Sequence, residues 1–229
     1  MTAAKSAKTR RRNADGRDDA ALKEAVVEAA LAHVPFDGFS DKTLHAAAVE
    51  AGVDARELPR LFPDGALSLV EAYSDAVDRQ MESRLAKAKL KQMKIRERIA
   101  KAVKTRLDIL RPHKEAARRA AAFLTLPPHA PRAAAMLYRS VDAMWRAAGD
   151  TATDFNFYTK RAILAGVYSA TLLRWFTDES EDESETDAFL AARIENVMQF
   201  EKLKAQFRER AESLPSLSEI FRGPSTRRS

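Results

Sequence analysis

The sequence predicts an all-α fold, a bundle of about nine to ten helices, and three observations carry that prediction. From Asp19 onward apolar residues recur at spacings of three and four, the period of helices with one buried face. β-branched runs, which would mark strands, are scarce. Gly and Pro, 7 and 9 of the 229 residues, fall at intervals that cut the chain into helix-length pieces. The breaks are Pro35–Gly38, Gly52, Pro63–Gly65, Pro112, Pro127–Pro131, Gly149–Asp154, the acidic stretch 178–187 and Pro215. Between them the pattern places helices near 19–33, 42–51, 55–62, 65–93, 95–110, 114–125, 130–148, 156–177 and 186–212.

Composition excludes several function classes. A hydrophobic content of 45% supplies a sizeable core, so the bulk of the chain is expected to fold. No run approaches the roughly 18–20 apolar residues that span a bilayer. With no cysteine, disulfides, thiol nucleophiles and Cys-based metal sites are excluded. His33, His45, His113 and His129 fit no H-E-x-x-H or Glu-x-x-His spacing. No serine sits in a G-x-S-x-G elbow, and residues 178–187 lack the ligand pattern of a calcium loop. Neither a catalytic set, a metal nor a cofactor is implied.

The net charge of +6 is unevenly placed. Residues 1–17 carry +5 and residues 222–229 carry +3, so 18–221 carries 6 − 5 − 3 = −2. Within it, 18–64 is acidic, 79–119 holds fifteen Lys/Arg against four acids, and 178–187 holds seven acids. Four segments follow. Residues 1–17 form a basic arm without the apolar run of a secretory signal, expected to be disordered. Residues 18–64 form a helix-turn-helix unit, 65–198 a helical domain, and 199–229 an amphipathic segment with a basic tail.

The helix-turn-helix reading rests on Ala29–Leu31, Gly38–Phe39, Leu44, Ala48, Ala51–Val53, Leu58 and Phe62, with a long helix opening at Gly65. This spacing resembles the N-terminal domain of TetR-type regulators, which implies a helical ligand domain behind it. The DNA-facing positions depart from that family. Where it carries a Tyr and, at the next helix, a Lys, this chain has Pro59 and Gly65. Ten acids against four cations give 18–64 a charge of −6, the wrong sign for phosphate contacts. The fold is expected to persist as a remnant without specific nucleic-acid binding.

The densest pattern is Asp142–Ala143–Met144–Trp145, then Ala148–Gly149–Asp150, then Thr153–Asp154–Phe155–Asn156–Phe157–Tyr158–Thr159–Lys160–Arg161. Gly149 is placed to end a helix and Asp154 to cap the next. Trp145, Phe155, Phe157 and Tyr158 crowd one helix corner, as core or as interface anchors. Helical neighbours diverge by about 100°, so the three aromatics of the second helix cannot all face inward. This stretch resembles the lipid-binding accessory proteins of ubiquinone biosynthesis, the ninth Coq family. The similarity runs over about 55–200, taking in Thr105–Arg106–Leu107, Leu124–Leu126–Pro127, Tyr168, Leu172, Arg193, Asn196 and Met198. Phe157 stands where the family has Trp, which keeps the apolar contact and loses an indole donor.

That resemblance implies a TetR-like homodimer that binds isoprenoid lipid or phospholipid, sits on a membrane surface, and serves the di-iron hydroxylase acting on demethoxyubiquinone. It implies a non-enzyme. The hydroxylase-facing patch falls on Leu107, Met144, Asp154, Asn156, Phe157, Tyr158 and Arg161. The apolar helical faces of 130–148 and 156–177 predict a lipid tunnel lined by Leu137, Val141, Leu164, Val167, Tyr168 and Leu172. Phe207, Leu214, Leu217, Ile220 and Phe221 are the candidate membrane contacts of an amphipathic C-terminal segment, which packing on the body would equally explain. The implied location is peripheral on the inner membrane: from the cytoplasm in a bacterium, from the mitochondrial matrix in a eukaryote. The alternative function is a TetR-type ligand-responsive transcriptional regulator using the same pocket for an effector.

Overall fold

The structure, a computed structural model, describes the backbone of residues 2–150 and 155–212, with side chains in 19–150 and 157–199. The described residues form nine α-helices and no strand: α1 (Thr2–Asp37), α2 (Asp41–Glu50), α3 (Leu58–Leu61), α4 (Ala66–Ala86), α5 (Ile95–Leu110), α6 (Lys114–Leu124), α7 (Ala130–Ala147), α8 (Phe155–Phe176) and α9 (Ser184–Glu212). Short 3₁₀ turns join several of them.

Three helices differ in their bounds from the apolar pattern. α1 begins at Thr2, taking in the basic arm, and continues through Pro35 to Asp37, four residues past the expected 33. Ala, Lys and Arg are good helix formers, so the arm supports a helix without showing apolar periodicity. α4 stops at Ala86, seven residues short of the expected 93. Arg84, Lys87 and Lys91 fall at helical spacing around and beyond its last buried residue, Leu85, and like charges three and four apart oppose one another. The chain turns there and buries Leu90 instead. α3 has a single turn because Asp54 holds the preceding residues in a turn of their own: its Oδ1 accepts from the Arg56 amide at 2.7 Å.

α4 is the central strut, packed on α1, α2, α5 and α7. Leu69, Tyr73, Val77, Met81 and Leu85, every fourth residue, form its buried stripe. Against it lie Val26 and Val34 of α1, Leu44 of α2, Val103 and Leu107 of α5, and Val141 and Met144 of α7. α8 joins this core through Leu164, Tyr168 and Trp175, and packs on α7 and α9.

The helix-turn-helix remnant is packed as a core unit. Ser40 caps α2 by accepting from the Thr43 amide at 3.1 Å, and Leu44, Ala47, Val53, Leu58 and Phe62 are buried. Gly65 has φ +55°, and a Cβ there would lie 2.4 Å from Asp41 Oδ1. That carboxylate accepts from the Ala66 amide at 2.9 Å, so the N-terminus of α4 already holds an anion from the protein itself.

Candidate functional site

Two apolar cavities flank α8. The first, about 260 Å³, lies among α4, α5, α6, α7 and α8, and the second, about 350 Å³, lies among α5, α7, α8 and α9. Helical spacing divides α8 between them: Tyr168, Ser169, Leu172, Leu173 and Phe176 face the first, and Thr159, Lys160, Ile163, Leu164 and Val167 the second.

The first cavity has a charged floor. Arg106 of α5 is buried at a position where helical spacing from Ile99, Val103 and Leu110 demands an apolar residue. Its Nε donates to Asp78 Oδ1 at 2.7 Å, and Nη2 donates to Ser74 Oγ at 3.1 Å and Ser140 Oγ at 3.3 Å. Nη1 donates to the Tyr168 hydroxyl, and Ser140 donates to Asp78 Oδ2 at 2.6 Å. Four elements are thereby tied around one guanidinium. A buried charge is tolerable when paired and hydrogen-bonded in this way. Burial raises the pKa of Tyr168 against the opposing pull of Arg106, so the phenol stays neutral.

Tyr73 of α4 lies beside this cluster, 6% exposed, and also lines the first cavity. Its hydroxyl finds no hydrogen-bond partner among the described residues. Burial raises its pKa well above the ordinary tyrosine value, so it remains an O–H donor.

The α7–α8 corner is a second polar centre. Arg161 is buried, its Nε donating to Asp142 at 2.7 Å and its Nη1 to Asp150 at 3.2 Å and to the Phe157 carbonyl at 3.1 Å. Lys160 donates to Asp150 at 2.8 Å, and Trp145 Nε1 to the Lys160 carbonyl at 3.2 Å. Gly149, at φ +87°, ends α7, and Arg98 donates to the Ala148 carbonyl at 2.9 Å. The Arg161 guanidinium lies 3.3 Å from the centre of the Phe157 ring, and Tyr158 meets that ring edge-on with its own side chain 66% exposed.

The comparisons with known proteins bear on this corner first. The COQ9 family model matches residues 130–201, from α7 into α9. Ubiquinone biosynthesis protein COQ9, mitochondrial, of Rattus norvegicus is 32% identical over 87% of this chain, and its Homo sapiens counterpart is 32% identical over the same share. The chain belongs to the COQ9 family. It spans just under two thirds of these COQ9 proteins, 66% and 65% of their lengths. For the fold, the crystal structure of a TetR transcriptional regulator from Nitrosomonas europaea superposes with a TM-score of 0.59 at 21% identity, covering 76% of this chain and 95% of that one. The all-α, TetR-like architecture expected for a COQ9 protein is therefore the one observed.

Within this COQ9 chain the residues read from sequence are distributed as follows. Of the six tunnel residues, Leu137, Tyr168 and Leu172 line the first cavity, Leu164 and Val167 line the second, and Val141 is fully buried and lines neither. One continuous lining on α8 is geometrically two, since residues three and four apart drift around the helix. Of the patch residues, Leu107, Met144 and Arg161 are buried and bear on the surface only through what they hold in place. Phe157 is half-buried and Tyr158 exposed, while Asp154 and the side chain of Asn156 lie outside the described residues. So do Leu214, Leu217, Ile220, Phe221 and the side chain of Phe207. Among the described residues no helix is long and apolar enough to cross a membrane, and no group of three acids or histidines is placed to hold a metal.

The pattern reading gave no role to Asp78, Tyr73 or Ser140, nor to Arg106, which entered only as part of the matched stretch Thr105–Arg106–Leu107. Arg106 is one of fifteen cations in 79–119, and a charge run reads as a solvated face. The signal available was its place on the apolar stripe of α5.

Proposed function

We propose that the chain is a non-catalytic accessory protein of ubiquinone biosynthesis. It holds an isoprenoid lipid or phospholipid and presents the intermediate to the di-iron demethoxyubiquinone hydroxylase at the membrane. The observation that carries this reading is the first cavity: an apolar chamber reached at Leu173, itself 66% exposed, with a polar floor at Arg106. Such a chamber excludes water and rewards a hydrocarbon occupant. The names of the COQ9 relatives support the pathway, and the word mitochondrial in them supports a mitochondrial location when the source is eukaryotic, with the matrix side of the inner membrane part of the same proposal. At the α4–α5 turn Lys87, Lys89, Lys91, Lys94 and Arg96 are exposed together, a surface suited to anionic lipid at roughly 1 kcal/mol per well-placed cation. The hydroxylase docks on the exposed face around Tyr158, and two copies of the chain act as a homodimer.

The test is organic extraction of the purified protein followed by mass spectrometry. An isoprenoid lipid or phospholipid near one equivalent per chain is the expected result. Lipid-free extracts, together with failure to take up a polyprenyl lipid from vesicles, would overturn the reading.

A further inference from the structure

Arg98 joins the two surfaces that the proposed function uses, the basic α4–α5 turn and the α7–α8 corner, and this inference rests on that reading. The residue lies half-buried in the first turn of α5. Its guanidinium spreads over three backbone carbonyls: Nε donates to Met93 at 2.9 Å, Nη2 to Lys91 at 3.2 Å and Nη1 to Ala148 at 2.9 Å. Two of these oxygens belong to the turn whose Lys87, Lys89, Lys91, Lys94 and Arg96 are exposed, and the third belongs to the residue that closes α7. Among the described residues no backbone amide of the turn or of the α7 end donates to any of the three. One cation thus satisfies carbonyls on both sides and meets the negative end of the α7 dipole. Gly149 keeps the approach clear, since a Cβ there would lie 3.3 Å from Arg98 Nη1. From Ala148 the contacts run on to the exposed aromatics. Asp150 accepts from Lys160 at 2.8 Å and from Arg161 at 3.2 Å, and the Arg161 guanidinium lies 3.3 Å from the centre of the Phe157 ring, which Tyr158 meets edge-on. Where α7 ends decides where Asp150 stands, and through Arg161 where the two rings stand.

We propose that Arg98 is a positioning residue: it fixes the end of α7 to the basic turn, so that the aromatic docking corner and the lipid-facing cations are held as one rigid surface for a partner that works at a bilayer. It acts through Ala148 and Asp150 rather than by touching the partner. The role needs the planar fork and not the charge alone. A lysine at this position would keep the charge, but a single ammonium on an unbranched stem cannot hold carbonyls on both sides at the fixed spacing of a guanidinium.

The experiment compares the full chain with its Arg98→Lys and Arg98→Ala variants, each labelled with fluorotryptophan. The chain has two tryptophans: Trp145 at the corner, its Nε1 donating to the Lys160 carbonyl at 3.2 Å, and Trp175, fully buried in α8. Both variants should shift or broaden the fluorine resonance of Trp145 and leave that of Trp175 in place. Both should weaken capture of the purified hydroxylase about ten-fold. Sedimentation with vesicles of phosphatidylglycerol and phosphatidylcholine should stay within about two-fold of wild type, because the five exposed cations of the turn remain. Tyr158→Ala should cost less affinity in the Arg98→Ala chain than in wild type, whereas independent effects would multiply. An unmoved Trp145 resonance, an Arg98→Lys chain that behaves as wild type, or two resonances that move together overturns the positioning role. So does loss of the fold in both variants, since Arg98 would then be holding the core. If the wild-type chain captures no hydroxylase, the docking reading fails and this inference with it. If wild type and variants capture it equally, docking stands and the role of Arg98 does not.

Discussion

Arg106 and Asp78 form a buried pair whose halves are not separable. Each is under a tenth exposed, and together they hold α4, α5, α7 and α8 to one point. Removing the guanidinium strands a carboxylate in the core, which typically costs about 3–5 kcal/mol, whereas replacing both charges with apolar groups of similar volume is often neutral. Arg106→Ala should therefore lower the melting temperature steeply, and Arg106→Met with Asp78→Leu should recover most of it. Thermal melts of the single and double variants check this, and an Arg106→Ala protein of wild-type stability would refute it. At the α7–α8 corner the balance differs. Tyr158 is 66% exposed, while Phe157 is half-buried on Arg161, so the pair has little core to lose. The double change Phe157→Ala, Tyr158→Ala should abolish capture of the hydroxylase, with a loss of about 2 kcal/mol or more of binding, and shift the melting temperature little. A variant that unfolds, or still retains the enzyme in a pull-down, sinks the patch.

At the scale of the element, Asp178 organises the entry to α9. Its Oδ1 accepts from the Ser180 amide at 2.9 Å and from the Ser180 hydroxyl, and its Oδ2 from the Thr186 amide at 2.7 Å and the Thr186 hydroxyl. These side-chain and backbone donors hold its carboxyl well below the ordinary carboxylate range. A depressed pKa adds stability that is fully present above the unfolded value near 3.9 and is lost as pH falls toward the folded one. Asp178→Asn should accordingly melt lower than wild type at pH 7, and the gap should narrow steadily below about pH 4. A gap unchanged between pH 7 and pH 3 would show that the charge is not what matters. The same scale separates what was legible in sequence from what was not. α5, α7 and α8 end within a residue or so of the apolar pattern: Pro and Gly bracket α7, Pro112 follows α5, and the acidic stretch from Asp178 follows α8. The end of α4 and the single turn of α3 were hidden, since charge repulsion and a local Asp54 turn leave the apolar spacing intact. For the cavities, spacing told which residues face inward. It did not tell which of two chambers each one meets, because that depends on which helix lies opposite.

Over the whole molecule, charge and packing together decide what the helix-turn-helix remnant can still do. Its recognition element has one turn, offers Pro59 at its exposed centre, and spends Arg60 on Asp19 across a 2.8 Å hydrogen bond to α1. The N-terminus of α4, where a phosphate would sit, is occupied by Asp41. With ten acids against four cations in 18–64, phosphate attraction is left to the basic arm and to the exposed cations of the α4–α5 turn, whose contacts carry no sequence information. The chain should therefore bind duplex DNA only weakly and without preference. That binding should fall steeply with salt and weaken when residues 1–17 are removed. A gel-shift series across salt on the full and truncated chains checks this, with nuclease footprinting for specificity. A protected site that survives about 150 mM salt, where nonspecific contacts have largely gone, would return the regulator to consideration.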